Sequence, residues 1–176
     1  VHVITIHILT DDELYTLHEL DNTLTVQKVP PAPNGTSPFL GVATITPPNP
    51  PTGARFAAAE ILIPAPSMAF PVAYVYVSNR NTGTQDPRGD TIAVYQRNTG
   101  SKNAGLTLVS QVYTGLNQIR GMEFGRADNG GEAYLVASGI AGSGGVVVFN
   151  RIDGGKKLQE VARNVDVPTG STFVWL

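Results

Sequence analysis

Residues 75–98 read VYVSNRNTGTQDPRGDTIAVYQRN. Two short runs rich in Val, Ile and Tyr flank a stretch of Asn, Thr, Gly, Asp and Pro. That is the pattern of strand, loop, strand. The same frame occurs twice more, so the hairpin is a repeat and not an isolated feature. Upstream, LYTLHE (14–19) leads into NTLTVQKV (22–29) through a tight turn at Asp21-Asn22. Downstream, AYLVAS (133–138) leads into GGVVVFNRI (144–152).

Each hairpin has a strand before it and another after it. HVITIH (2–7), AAEILI (58–63) and RGMEFG (120–125) precede; FLGVATI (39–45), LTLVSQVYTG (106–115) and KLQEVARNV (157–165) follow. The middle copy's first strand lies in ARFAAAEILI, whose composition also suits a helix, but Pro64 and Pro66 follow and the repeat favours a strand. Aligning Tyr15, Tyr76 and Tyr134 gives spacings of 61 and 58 residues. Under this alignment the strand breaks four residues on, at Glu19, Arg80 and Ser138.

A four-stranded unit recurring about every 60 residues predicts an all-β chain built of β-propeller blades, each of four antiparallel strands. The expected blades are residues 1–56, 57–117 and 118–176, forming one partial propeller domain. Residues 30–51 hold eight of the thirteen prolines. They read as an elaborated surface connection inside the first blade.

Composition narrows the function. The chain has 176 residues, no cysteine and a formal charge of -2. Thiolate catalysis, zinc–thiolate sites and disulfides are excluded. No basic run offers a field for nucleic acid. No apolar stretch nears the roughly 18–20 residues of a membrane-spanning helix. No signal-peptide pattern opens the sequence, and a mature secreted chain would lack one as well. His2, His7 and His18 do not have metal-ligand spacing. GIAGSGG (139–145) joins two strands with no helix after it, so it lacks the logic of a phosphate loop. Asn34-Gly35-Thr36 is a candidate N-glycosylation sequon in the Pro-rich loop.

Successive strands of a blade are antiparallel, so the start of the first and the end of the second meet at one rim of the channel. His2 and Glu19 occupy that rim in copy one, Ala58 and Arg80 in copy two with Glu60 close by, and Arg120 and Ser138 in copy three. Glu, Arg and His there suit an anionic small molecule: Arg for its carboxylates, Glu or His for proton transfer. Blander readings stand beside this one. Glu19 also reads as a solvated hairpin tip, and Arg80 as the partner of Asp86 or Asp90 in its own loop. His18 alternates away from Glu19 and is expected to face a neighbouring blade. Glu60, inside an apolar strand, either holds Arg80 in place or acts chemically. Arg120 either contacts substrate or braces two blades.

LHELDNTLTVQ, AAEILI, YVYVSNR, GDTIAVYQ, LTLVSQVYTG, IRGMEFG and GGVVVFNRIDGGKKLQEV together resemble the lactonase/cycloisomerase family of seven-bladed propellers. That family includes fungal 3-carboxy-cis,cis-muconate cyclase and bacterial 6-phosphogluconolactonase. The resemblance spans nearly the whole chain, and the closing FVWL is similar to the fungal branch. It implies a muconate cycloisomerase working without metal or organic cofactor on a small polycarboxylate. Glu19 and Arg80 would be its catalytic residues, and the rim geometry adds Arg120, Glu60 and His2 as candidate substrate-binding residues. It also implies that about three of seven blades are present. The remaining blades would come from another chain segment or a second copy. Family analogy points to the cytoplasm, and the sequon to secretion. The alternatives are a non-enzymatic secreted fungal propeller glycoprotein and a lactone hydrolase, the latter wanting further basic residues at the channel mouth.

Overall fold

A computed structural model describes residues 4–30 except 11, residues 35, 37 and 39–98, and residues 105–175 except 143, 169 and 171; for 4–10 and 39 it describes the backbone alone. Among the described residues, twelve strands form three four-stranded sheets in chain order, with antiparallel neighbours throughout. The first sheet is β1 (Ile4–Thr10), β2 (Glu13–His18), β3 (Thr23–Lys28) and β4 (Phe39–Thr44). The second is β5 (Phe56–Leu62), β6 (Tyr74–Asn81), β7 (Thr91–Asn98) and β8 (Gly105–Tyr113). The third is β9 (Asn117–Phe124), β10 (Tyr134–Ala141), β11 (Val146–Ile152) and β12 (Lys157–Asn164). The segment that carried helix propensity is β5, because pairing with β6 outweighs intrinsic preference.

Two hydrophobic layers join the sheets. Tyr15, Leu17, Leu24 and Val26 of the first sheet meet Ile61, Val75, Val77, Ala93 and Tyr95 of the second. Tyr74, Tyr76, Ile92 and Val94 then meet Ile119, Met122, Leu135, Ala137, Val147 and Phe149 of the third. Strand alternation sends Val75 and Val77 one way and Tyr74 and Tyr76 the other. The central sheet is therefore covered on both faces, and every residue of β6 is buried. That explains the unbroken run Tyr74-Val75-Tyr76-Val77 at the start of this strand. Burial of each such large side chain stabilises by roughly 2 kcal/mol.

Arginines brace the junctions at the end remote from the Glu19 and Arg80 positions. Arg97 Nε lies 2.6 Å from Glu13 Oε2, to which the Tyr15 hydroxyl donates at 3.0 Å. Arg151 donates from Nε to the Tyr76 hydroxyl at 3.1 Å and stacks 3.9 Å above the Phe70 ring. Each reaches back to the preceding sheet from the end of a third strand.

The repeat register differs from the tyrosine alignment in the third copy. Ser78 lies opposite a slip in the β5 pairing, between Ala58 and Ile61. Ser138 lies at the matching slip, where Arg120 is the extra residue of β9. Val94 faces Tyr76 as Val148 faces Val136. The equivalent of Tyr134 is thus Tyr74, and the equivalent of Arg80 is Ile140, not Ser138. A two-residue shift preserves the side-chain alternation, so the sequence pattern alone does not detect it.

The proline-rich stretch divides in two. Its first half lies between β3 and β4, while residues 45–55 connect the first sheet to the second. There the Tyr113 hydroxyl donates to the Pro48 carbonyl at 3.0 Å and Arg88 to that of Asn49 at 3.2 Å. The connection is docked on the second sheet.

Candidate active site at the strand ends

Glu19 follows β2, Arg80 lies near the end of β6, and Arg120 is the bulged residue of β9. The three sheets bring them together. Arg80 Nη2 donates to Glu19 Oε1 in a short, direct ion pair. Arg120 Nη2 lies 3.9 Å from the same oxygen. Exposure is graded: the side chains of Arg80 and Glu19 are 6% and 15% exposed, that of Arg120 38%. Arg80 Nε is buried without a hydrogen-bond partner. The cluster therefore has a fixed floor, Glu19–Arg80, and one guanidinium that reaches solvent.

Glu60 sits in the β5 slip, with its backbone N–H donating to Ser78 Oγ at 3.0 Å. Burial pushes its carboxyl up to about 7; the Arg120 charge opposes this and Glu123 adds to it. A carboxyl poised there exchanges protons readily near neutrality.

A polar network holds these strand ends in place. The Asp90 carboxylate accepts the backbone N–H of Asn81 at 2.8 Å and of Ile119 at 3.1 Å. Gln118 donates from Nε2 to the Asn81 carbonyl at 2.6 Å. Asn79 donates to the Ile45 carbonyl at 2.6 Å, tying β6 to the first sheet.

These contacts revise several sequence expectations. Arg80 pairs with Glu19 of the neighbouring sheet. Asp86 instead takes Arg88, at 2.9 and 2.7 Å, because the two sit in one tight loop. Asp90 is occupied by backbone amides. Glu19 is not a solvated hairpin tip. The charged neighbours of Glu60 are Arg120 and Glu123, so it does not hold Arg80. His18 shares a hydrogen bond with Thr25 Oγ1 at 3.0 Å within its own sheet, on the face turned away from the second sheet. Ser138 is withdrawn from the rim, donating to the Gly170 carbonyl at 2.5 Å. His2 and Asn34 lie outside the described residues. Gln118 and Glu123 did not stand out in the sequence, and Asp90 did so only as a candidate partner of Arg80. The one available signal was a polar residue just before the third strand of the first two sheets, Asn22 and Asp90.

Among the described residues, no group of three or more His, Asp or Glu side chains is arranged to hold a metal ion, and no helix is long and apolar enough to cross a membrane.

Comparison with known proteins follows the same lines. The profile of the family described as lactonase, 7-bladed beta-propeller, matches residues 6–175. No curated protein matches. Among solved structures, a protein from Lactobacillus plantarum aligns with a TM-score of 0.68 at 22% identity, over 92% of this chain and 40% of its own. A periplasmic gluconolactonase from Pseudomonas aeruginosa aligns with a TM-score of 0.65 at 14% identity, over 95% and 40%. A candidate 6-phosphogluconolactonase from Bacteroides fragilis gives 0.64 at 15%, over 95% and 39%. At these identities the likeness is one of fold, and the chain spans about 40% of the length of the structures it matches.

Proposed function

From its membership of the seven-bladed β-propeller lactonase family, to which this chain belongs, we propose that it supplies three blades of a ring that hydrolyses a sugar-derived lactone. The observation that carries this reading is the meeting of Glu19, Arg80 and Arg120, one from each sheet. Strand ends from separate blades converge where a propeller's channel opens, and such convergent polar groups mark binding sites. The gluconolactonase and the candidate 6-phosphogluconolactonase among its structural neighbours support the same class.

The chemistry runs as ester hydrolysis. Glu60 takes a proton from a water molecule, whose oxygen attacks the lactone carbonyl carbon. Arg120, with Arg80 behind it, stabilises the oxyanion that forms. The intermediate collapses, the ring C–O bond breaks, and the departing alkoxide takes the proton back from Glu60. The product is an open-chain hydroxy acid. Glu19 holds Arg80 and turns the edge of Arg120. The needed basic residues at the mouth are these two.

The local charge favours a lactone with at most one anionic arm. Two guanidiniums face three carboxyls, Glu19, Glu60 and Glu123. A tricarboxylate would meet more repulsion than attraction there. A second reading, cycloisomerisation of a 3-carboxymuconate, rests on the HELDNT and SNR motifs, with Glu19 delivering the proton and Arg80 clamping a carboxylate. The two readings separate in one assay on the complete ring. Release of acid from 6-phosphoglucono-lactone above the spontaneous rate supports hydrolysis. Loss of diene absorbance from the muconate, without lactone hydrolysis, supports the second. Neither activity would leave the family's fold serving as a scaffold.

A further inference from the structure

We propose that Asp90 is a positioning residue, whose carboxylate fixes the two arginines of the rim relative to each other. The amides it accepts include those of Asn81, directly after Arg80, and of Ile119, directly before Arg120. One side chain thereby clips together the backbones that carry both guanidiniums, across the junction between the second and third sheets. Asp90 is 2% exposed, so the clip operates away from water. Gln118 makes a second stitch between the same segments, through its side-chain bond to the Asn81 carbonyl. Gln118 does so with φ at 58°, a left-handed conformation that a non-glycine residue adopts at some cost. The strain and the buried carboxylate fall on the same few residues, next to Arg120.

The clip matters because Arg120 is otherwise loosely held. Its guanidinium is more than one-third exposed, and its contact with Glu19 is long, at 3.9 Å. The apolar contacts of Ile119 and Met122 hold β9 against the second sheet, and the clip adds the polar bonds that fix the backbone on either side of the two arginines. The inference depends on the proposed reaction only for its catalytic consequence; the geometry is testable without any turnover.

Glu60 provides the readout, since Arg120 holds its carboxyl down while burial and Glu123 push it up. The test is an NMR titration of the Glu60 side-chain carboxyl in the 176-residue chain, in wild type, Asp90→Asn, Gln118→Ala and Tyr76→Phe. The sign is diagnostic. Removing the Asp90 charge by itself lowers the Glu60 midpoint, whereas releasing Arg120 raises it. The clip predicts a rise of about half a unit or more in Asp90→Asn, and a smaller rise in Gln118→Ala. Tyr76→Phe, which loosens the same junction at its far end by removing a hydroxyl bonded to Arg151 and Gly155, leaves the midpoint unchanged. If Asp90→Asn does not fold, Gln118→Ala carries the test. A fall or no change in the folded clip variants, or an equal rise in Tyr76→Phe, overturns the proposal. Should the clip variants shift Glu60 while an intact ring hydrolyses no lactone, the positioning stands and the lactonase reading falls.

Discussion

Arg80 is buried to a degree that charged side chains reach only when paired, and among the described residues Glu19 is the carboxylate that forms an ion pair with it. Removing that partner strands a guanidinium. Glu19→Gln is therefore expected to cost about 3 kcal/mol in urea unfolding, and Arg80→Met less, because Glu19 can turn to water. The double variant Glu19→Gln/Arg80→Met should recover most of the loss, so a double-mutant cycle reads a coupling above about 1 kcal/mol. Glu60 gives a pH signature. Its carboxyl is raised on folding, so its contribution is fully present below pH 4.5 and is lost as pH rises toward about 7. Relative to wild type, Glu60→Gln should thus gain stability between pH 5 and pH 7.5, measured by denaturant titration at each pH. A wild-type-minus-variant difference that stays flat would show that Glu60 is not desolvated. The sequence exposed Glu19, Arg80 and Arg120 as rim positions, because strand ends are visible in a repeat. It hid their pairing, because an ion pair between sheets depends on how those sheets stack.

At the scale of strands and loops, the third copy tests the register. Ile140 occupies the position equivalent to Arg80 and is 42% exposed, whereas Ser138 is wholly buried. Ile140→Arg should change stability by less than about 0.5 kcal/mol, while Ser138→Arg should prevent folding or cost more than about 4 kcal/mol. The reverse ranking would restore the tyrosine alignment. The loop after β6 has its own constraint. Gly89 has φ at 81°, and a Cβ added there would lie 2.6 Å from the Gly115 backbone. Gly89→Ala is expected to lower the melting temperature by several degrees, on the order of 2 kcal/mol or more, through both strain and overlap. Strand identity was legible because period-two alternation and turn residues are local. The bulge that decides register was not, since one extra residue in β9 changes pairing without disturbing composition.

For the whole molecule, three sheets leave two flanks. Tyr134 and Ile140 on the third sheet are 43% and 42% exposed, and Val42 on the first is 61% exposed. Tyr74, the equivalent of Tyr134 in the second sheet, is buried against the third sheet. The ring proposed above would cover these exposed side chains, and its seven blades would place further groups opposite Glu19, Arg80 and Arg120. The measurement that bears most directly on the central claim is lactone hydrolysis by the complete ring, followed by acid release from 6-phosphoglucono-lactone, in wild type and in Arg80→Met and Arg120→Met. The account predicts hydrolysis above the spontaneous rate, reduced about 100-fold in kcat/KM by either substitution. Wild-type rates equal to the spontaneous reaction, or full activity without both arginines, would contradict it.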